Sequence, residues 1–392
     1  MDRSMIIAAS LVSATWKSLA ALLARSTIGR RPHRPPACAR PSRCSSGSPT
    51  STPARWGPFR ARPSTPRGPS STARWSGGAD HVERLLALAG ELRSRLAARL
   101  GATPEEVALT GATTDGVNAV LAGLDLRGGD EILTTDEEHP GLLAPLALAR
   151  ERHGVRIRAV PFAEIAGEVG PGTRLVACSH VSWRTGRVID SEALATAGAP
   201  LLLDGAQGLG AVPVDVAALG CDYYAASGQK WLCGPIGAGS LYVRAQRIPE
   251  LRPATPGYQT LADTTDPLRF ALADGAARFD GGLPAAHNSA WALASLDVLD
   301  GAGERALLER GAELAGRLAA MLAERGVTVA PRGASTLVSW EARDPAAESA
   351  RLLGAGYLVR HLPGTPYVRA SVGAWTSEEE LAGLVEAGVG PR

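Results

Sequence analysis

The chain has 392 residues, 45% of them hydrophobic and 20% charged, with a formal net charge of +2. That length exceeds one ordinary domain and suits two, and the composition is that of a globular chain with a sizeable core. No run approaches the roughly 18 consecutive apolar residues of a transmembrane helix.

The small net charge conceals an asymmetry. Residues 1–79 hold 13 Lys plus Arg against one acid, Asp2, whereas the remainder holds 28 basic and 38 acidic residues. From Gly29 to Trp75 the chain is mostly Arg, Pro, Ser, Thr and Ala without apolar periodicity. Nothing there offsets the entropy of ordering a backbone. A basic tail of this kind suits nucleic acid or an anionic membrane. The run Ser4 to Ala24 suits a targeting peptide, although Ser10, Ser13, Lys17 and Ser18 interrupt it. Acid-free sequence of this composition is also what a GC-rich coding region yields in a wrong reading frame. The expectation adopted is that residues 1–79 are disordered or a frameshift artefact, with neither nucleic acid nor membrane as partner. A transcript with one intact frame through codon 80 would refute the artefact.

From residue 80 the pattern alternates. It predicts a helix over 82–99, a strand over 107–109, a helix over 113–123, a strand over 131–134 and a helix over 139–152. Strands over 155–160 and 174–178, a short helix over 191–196, and strands near 201–204, 222–226 and 239–243 follow. Such alternation indicates an α/β fold with a mainly parallel sheet covered on both faces. A helical region from about 285 to 325 leads to a smaller α+β part. There, strands are expected near 327–329 and 337–340, a helix near 345–355 and a last helix from 377. The division expected is 80–295 for a large domain and 296–392 for a small C-terminal one.

Arginine does nearly all the cationic work: Lys17 and Lys230 are the only lysines. Arg keeps its proton in a protein, so only Lys can serve as an amine nucleophile or proton shuttle. The run Leu201-Leu202-Leu203-Asp204-Gly205 reads as a buried strand that delivers a carboxylate to its C-terminal edge, where open α/β sheets bind ligands. Lys230 follows the next strand, 26 residues after Asp204, about one βαβ repeat. A lone amine and a carboxylate at one sheet edge suit pyridoxal phosphate. The amine holds the aldehyde as an imine, and the carboxylate keeps the pyridine nitrogen protonated.

Asp204-Gly-Ala-Gln207 and Ser227-Gly-Gln-Lys230, with Gly234-Pro235 behind them, resemble the class V aminotransferase family of fold-type-I pyridoxal-phosphate enzymes. That family includes cysteine desulfurases, selenocysteine lyases and isopenicillin N epimerase-like proteins. The resemblance implies that Lys230 carries the cofactor, that Asp204 pairs with the pyridine nitrogen and that Gln207 bonds the ring hydroxyl. It places Thr113, Thr114, Ser227 and Gln229 at the phosphate, with Gln229 standing where many relatives carry His. His139, in Glu137-Glu138-His139-Pro140, would stack on the ring. Arg369, in Arg-Ala-Ser, would clamp the substrate carboxylate, with Arg360 a second candidate. Trp183 falls where many desulfurases have Asn, and Leu283 where a neighbouring subunit would offer a hydroxyl, leaving Ser289 or a backbone amide to serve. Homodimers with active sites at the subunit boundary are implied.

Of the five cysteines, Cys38 and Cys44 lie in the N-terminal segment and Cys178, Cys221 and Cys233 show no zinc spacing. No metal is expected, and a reducing, cytoplasmic setting is. Desulfurases carry a nucleophilic cysteine in the small domain, yet no cysteine follows Cys233. The expected chemistry is therefore transamination, C–S lyase or epimerase chemistry on an α-amino acid. Cysteine desulfurase activity, or cofactor binding with little catalysis, are the alternatives.

Overall fold

The structure, a computed structural model, describes residues 78–388. Expectations for residues 1–77, with Lys17, Cys38 and Cys44, lie outside the described residues. The first helix, α1 (Gly78–Leu100), is followed by β1 (Val107–Thr110), α2 (Thr113–Gly123), β2 (Glu131–Thr135), α3 (Pro140–His153) and β3 (Arg156–Val160). Next come β4 (Thr173–Ser179), α4 (Ser191–Ala197), β5 (Leu201–Asp204), β6 (Tyr223–Ser227) and β7 (Gly239–Val243).

These strands form one seven-stranded sheet in the order β1-β7-β6-β5-β4-β2-β3. β7 runs antiparallel to both of its neighbours, and the pairings from β6 through β3 are parallel. Strands β2, β5, β6 and β7 are buried along their whole length, as a sheet covered on both faces requires. Alternation then divides each strand between two cores. Leu201 and Leu203 face one hydrophobic cluster and Leu202 the other; Tyr224 and Tyr223 divide the same way. Truncating such a leucine to Ala would cost about 2–5 kcal/mol. The edge strand β3 instead carries Arg156 and Arg158, charges that discourage pairing with another chain.

Helix α1 lies beside α5 (Ala286–Ala302), with Arg95 and Arg99 reaching Asp297, Asp300 and Glu304. The helical region expected from 285 to 325 is two helices, α5 and α6 (Glu304–Glu324). Gly303, at φ 84°, breaks them apart; only glycine adopts that conformation without strain. α5 runs through the expected boundary at 295/296.

Beyond α6, β8 (Leu337–Glu341), α7 (Pro345–Gly354), β9 (Arg360–His361), β10 (Tyr367–Ser371) and α8 (Glu378–Gly388) complete the described chain. The strands form a three-stranded antiparallel sheet, β8-β10-β9, backed by a separate hydrophobic cluster from α6, α7 and α8. The strand expected over 327–329 is only an isolated bridge between Val329 and Trp340. Among the described residues no helix is long and apolar enough to cross a membrane.

Candidate active site

Strands β2, β4, β5 and β6 are parallel, so the segments that follow them emerge at one sheet edge, as does the turn after β1. A cavity of about 450 Å³ opens there. It is lined by Thr113, Thr114, His139, Asp204, Gln207, Ser227, Gln229, Lys230, Arg360 and Arg369. All ten residues singled out in the sequence are therefore brought together. Trp183, Trp231, Cys233 and Trp375 share the lining.

At one end, the first turn of α2 presents Thr113 and Thr114. The Thr113 amide donates to Ser227 Oγ at 3.1 Å, and the two hydroxyls lie 2.5 Å apart, so β6 is tied to the α2 N-terminus. Exposed amides and hydroxyls at a helix start attract an anion.

Asp204 is buried at the end of β5, where Oδ1 accepts from the Ala206 amide at 2.9 Å. Burial pushes its carboxyl pKa up, and the Lys230 amine opposes that rise. Lys230 is accessible from the cavity yet surrounded by protein mass. Burial lowers its amine pKa, Asp204 raises it, and Arg369 and Arg360 lower it further. The turn after Asp204 has no room for side chains at Gly205 and Gly208, because a Cβ at either would strike the Tyr224 side chain. Gln207 accepts from the Trp231 indole at 2.8 Å, which leaves its amide NH₂ to donate.

His139 caps α3: Nδ1 accepts from the Gly141 amide at 2.9 Å. Its proton therefore belongs on Nε2. Burial, then the cations Lys230, Arg360 and Arg369, bring its pKa down to about 4, so the ring is neutral. The Trp183 ring meets it edge-to-face, centroids 5.0 Å apart.

Arg369 lies opposite Arg360 in the β10–β9 register. Arg369 is buried and donates to the Trp183 carbonyl, whereas Arg360 is exposed at the cavity. Burial and Arg360 bring the Arg369 pKa down to about 10, which leaves it charged at neutral pH.

Sequence reading missed the two carboxylates before His139. Glu138 is buried and accepts from Thr135 Oγ1 (2.5 Å), the Ser179 amide (3.0 Å) and Ser179 Oγ (2.5 Å). It thereby ties the end of β2 to Ser179, the register partner of Asp204. The signal was three acids, Asp136 to Glu138, straight after a wholly buried strand, a place where a carboxylate must find donors. Burial pushes its pKa up to about 7, against the Ser179 and Thr135 hydrogen bonds that lower it.

A folded pKa raised above the ordinary 4.5 gives stability that is full below that value and lost as pH rises through about 7. At 1.36 kcal/mol per pKa unit the loss is about 3 kcal/mol. Glu138→Gln should remove this dependence. Denaturant unfolding at about pH 4.5 and about pH 8 should show wild type losing about that much relative to the variant. A difference independent of pH would mean the carboxyl titrates normally.

Residues 71–339 match the family model described as Aminotransferase class-V. A probable cysteine desulfurase of Methanothermobacter thermautotrophicus is 32% identical over 237 residues, 57% of this chain and 58% of that protein. The match thus spans little more than half of that relative. Isopenicillin N epimerase of Streptomyces clavuligerus is 29% identical over 337 residues, 77% of this chain and 84% of that one. Among solved structures, the cystine C–S lyase C-DES in complex with cysteine persulfide superposes with a TM-score of 0.77 at 28% identity, covering 82% of this chain and 91% of that one.

Proposed function

The chain belongs to the class-V aminotransferase family, and on that premise we propose that it is a pyridoxal-phosphate-dependent enzyme of fold type I. It acts on an α-amino acid by moving a proton at the α-carbon, in reactions of the C–S lyase, epimerase or transaminase kind. The observation that carries this reading is the single cavity shared by Lys230, Asp204, the α2 N-terminus and Arg369.

The residues fit the cofactor by their donor chemistry. Trp183 Nε1 and Arg369 Nε are buried donors without a partner in the protein alone, both on side chains lining this cavity. The unpartnered atom of Gln229 is the acceptor Oε1, so its amide NH₂ is the group that would face a phosphate. Thr113, Thr114, Ser227 and Gln229 would hold the phosphate, Asp204 the pyridine nitrogen, and the free amide of Gln207 the ring hydroxyl. His139, neutral and held by its own helix cap, offers a flat face to the ring. Lys230 would anchor the cofactor and then carry the proton to and from the α-carbon. Bound pyridoxal phosphate supplies the electron sink that such proton transfer needs. Arg369, with Arg360 beside it, would hold the substrate carboxylate and so fix the bond presented to the ring.

We propose the same division into a cofactor-binding part and a smaller C-terminal part, with the junction at the helix break at Gly303 rather than at 295/296. Ile236, Tyr258, Leu268 and Leu283 are exposed apolar side chains, which suits a homodimer. Ser289, offered in place of a hydroxyl at 283, is buried with its Oγ unpartnered. The free thiols Cys178, Cys221 and Cys233 suit a cytoplasmic setting.

Arg369→Ala should raise KM for α-amino acids about 10- to 150-fold, the worth of one charge-assisted hydrogen bond at about 1.5–3 kcal/mol. Cofactor affinity should stay near wild type. Arg369→Lys should recover little, because a point charge does not reproduce the fork. The reading itself is tested by cofactor absorbance with a panel of amino acids, including cysteine and its S-substituted derivatives, scored for keto acid, pyruvate, sulfide and racemised product. Absorbance that no amino acid perturbs would favour a binding protein with little catalysis.

Cysteine desulfurase activity is the second reading, because Cys233 lines the cavity. Burial pushes its thiol up to about 11, so it is a thiol rather than a thiolate at neutral pH. Alanine from cysteine, with sulfide released by an added thiol reductant, surviving Cys233→Ser, would establish desulfurase chemistry without that thiol.

A further inference from the structure

Glu137, two residues before His139, points its carboxylate at a turn that also carries contacts from the C-terminal part. Its Oε2 accepts from Ser182 Oγ and, at 2.6 Å, from Thr185 Oγ1. Ser182 Oγ in turn accepts from the Arg184 and Thr185 amides, each at 3.1 Å, and the turn closes through the Gly186 amide to the Ser182 carbonyl at 3.0 Å. Ser182 and Thr185 are both buried, so the carboxylate holds this turn from inside.

The carbonyls of the same turn meet the C-terminal part. The Trp183 carbonyl accepts from Arg369, the Arg184 carbonyl from Ser339 Oγ at 2.5 Å, and the Gly186 carbonyl from Ser335 Oγ at 2.7 Å. The turn is thus a shared joint. Glu137 fixes it to the sheet edge that holds His139, and its Trp183 carbonyl holds the guanidinium at 369.

We propose that Glu137 is a positioning residue for substrate binding, setting where Arg369 presents its fork by holding the turn at residues 182–187. The proposal rests on the reading that Arg369 binds the substrate carboxylate. Losing the Glu137 carboxylate would leave Ser182 and Thr185 without their acceptor and let the Trp183 carbonyl shift. A contact worth about 1 kcal/mol corresponds to about a fivefold change in affinity.

The test uses the cofactor-loaded protein, with propionate binding measured by calorimetry and KM and kcat measured on a reactive amino acid. Glu137→Ala should weaken propionate and raise KM about fivefold, with cofactor Kd and kcat near wild type; Glu137→Gln, which keeps an acceptor, should lie between. In an Arg369→Ala background the Glu137→Ala effect should disappear. Should Glu137→Ala fail to fold, Thr185→Val carries the same expectation, with a smaller effect. If Arg369→Ala weakens propionate but neither Glu137→Gln nor Thr185→Val does, the positioning role is overturned. It is overturned equally if the loss at Glu137 persists undiminished without Arg369. If Arg369→Ala itself leaves propionate binding unchanged, the carboxylate reading beneath it has failed instead.

Discussion

Lys230→Ala should abolish the covalent attachment of cofactor and essentially all turnover. In wild type, borohydride should fix the cofactor onto the peptide that contains Lys230, and mass spectrometry should find that adduct. The only other lysine in the chain is Lys17. The environment supports a reactive amine: burial lowers the Lys230 pKa, the Asp204 carboxylate raises it in part, and the guanidiniums of Arg369 and Arg360 lower it again, so the net direction favours the neutral form. Loss of an acid–base group alone removes about 10²–10⁴-fold in rate, and here the anchor goes with it. Lys230→Arg should be as inactive as Lys230→Ala, because a guanidinium neither gives up its proton nor forms the link. Folding should survive, since an amine accessible from the cavity and held below its ordinary pKa adds nothing to stability at neutral pH. An unmodified Lys230 beside a modified Lys17 would defeat the assignment.

Why the cavity residues were legible while their supports were not follows from how each is encoded. Asp204 ends one short apolar strand and Lys230 follows the next by three residues, each beside glycines, so the local pattern alone places them at one edge. The sheet order and the antiparallel β7 depend on pairings between strands distant in sequence, which no local window contains. The strands β9 and β10 were missed as elements because β9 is two residues long and their connection is a short turn; pairing with β8 makes them strands. Arg369 read as a candidate from its motif, but its burial against the Trp183 carbonyl, 186 residues away in sequence, could not be read. In the sequence Glu137 and Glu138 stand only as the flank of His139. Only the fold brings Ser179, Ser182 and Thr185 to them.

Asp204→Asn should keep the fold and slow the chemistry. Oδ1 accepts from the Ala206 amide, and an asparagine carbonyl can accept the same bond, so the turn after β5 keeps its geometry. Burial raises the Asp204 pKa, which means the folded state bears the cost of a desolvated carboxylate; a neutral amide removes that cost, and unfolding free energy should be unchanged or higher. Function should move the other way. The amide offers no anion to hold a proton on the pyridine nitrogen, and the sink for α-carbon electrons weakens. Removing one partner of a buried ion pair costs about 3–5 kcal/mol, so proton abstraction should slow by about 10²- to 10⁴-fold. Cofactor retention should change much less, because Thr113, Thr114 and Ser227, proposed to hold the phosphate, and Lys230, proposed as its anchor, are untouched. Single-turnover absorbance with an α-amino acid, beside denaturant unfolding of both proteins, separates the two effects. Wild-type rates in a stable Asp204→Asn variant would make Asp204 a structural residue and end its role at the pyridine nitrogen.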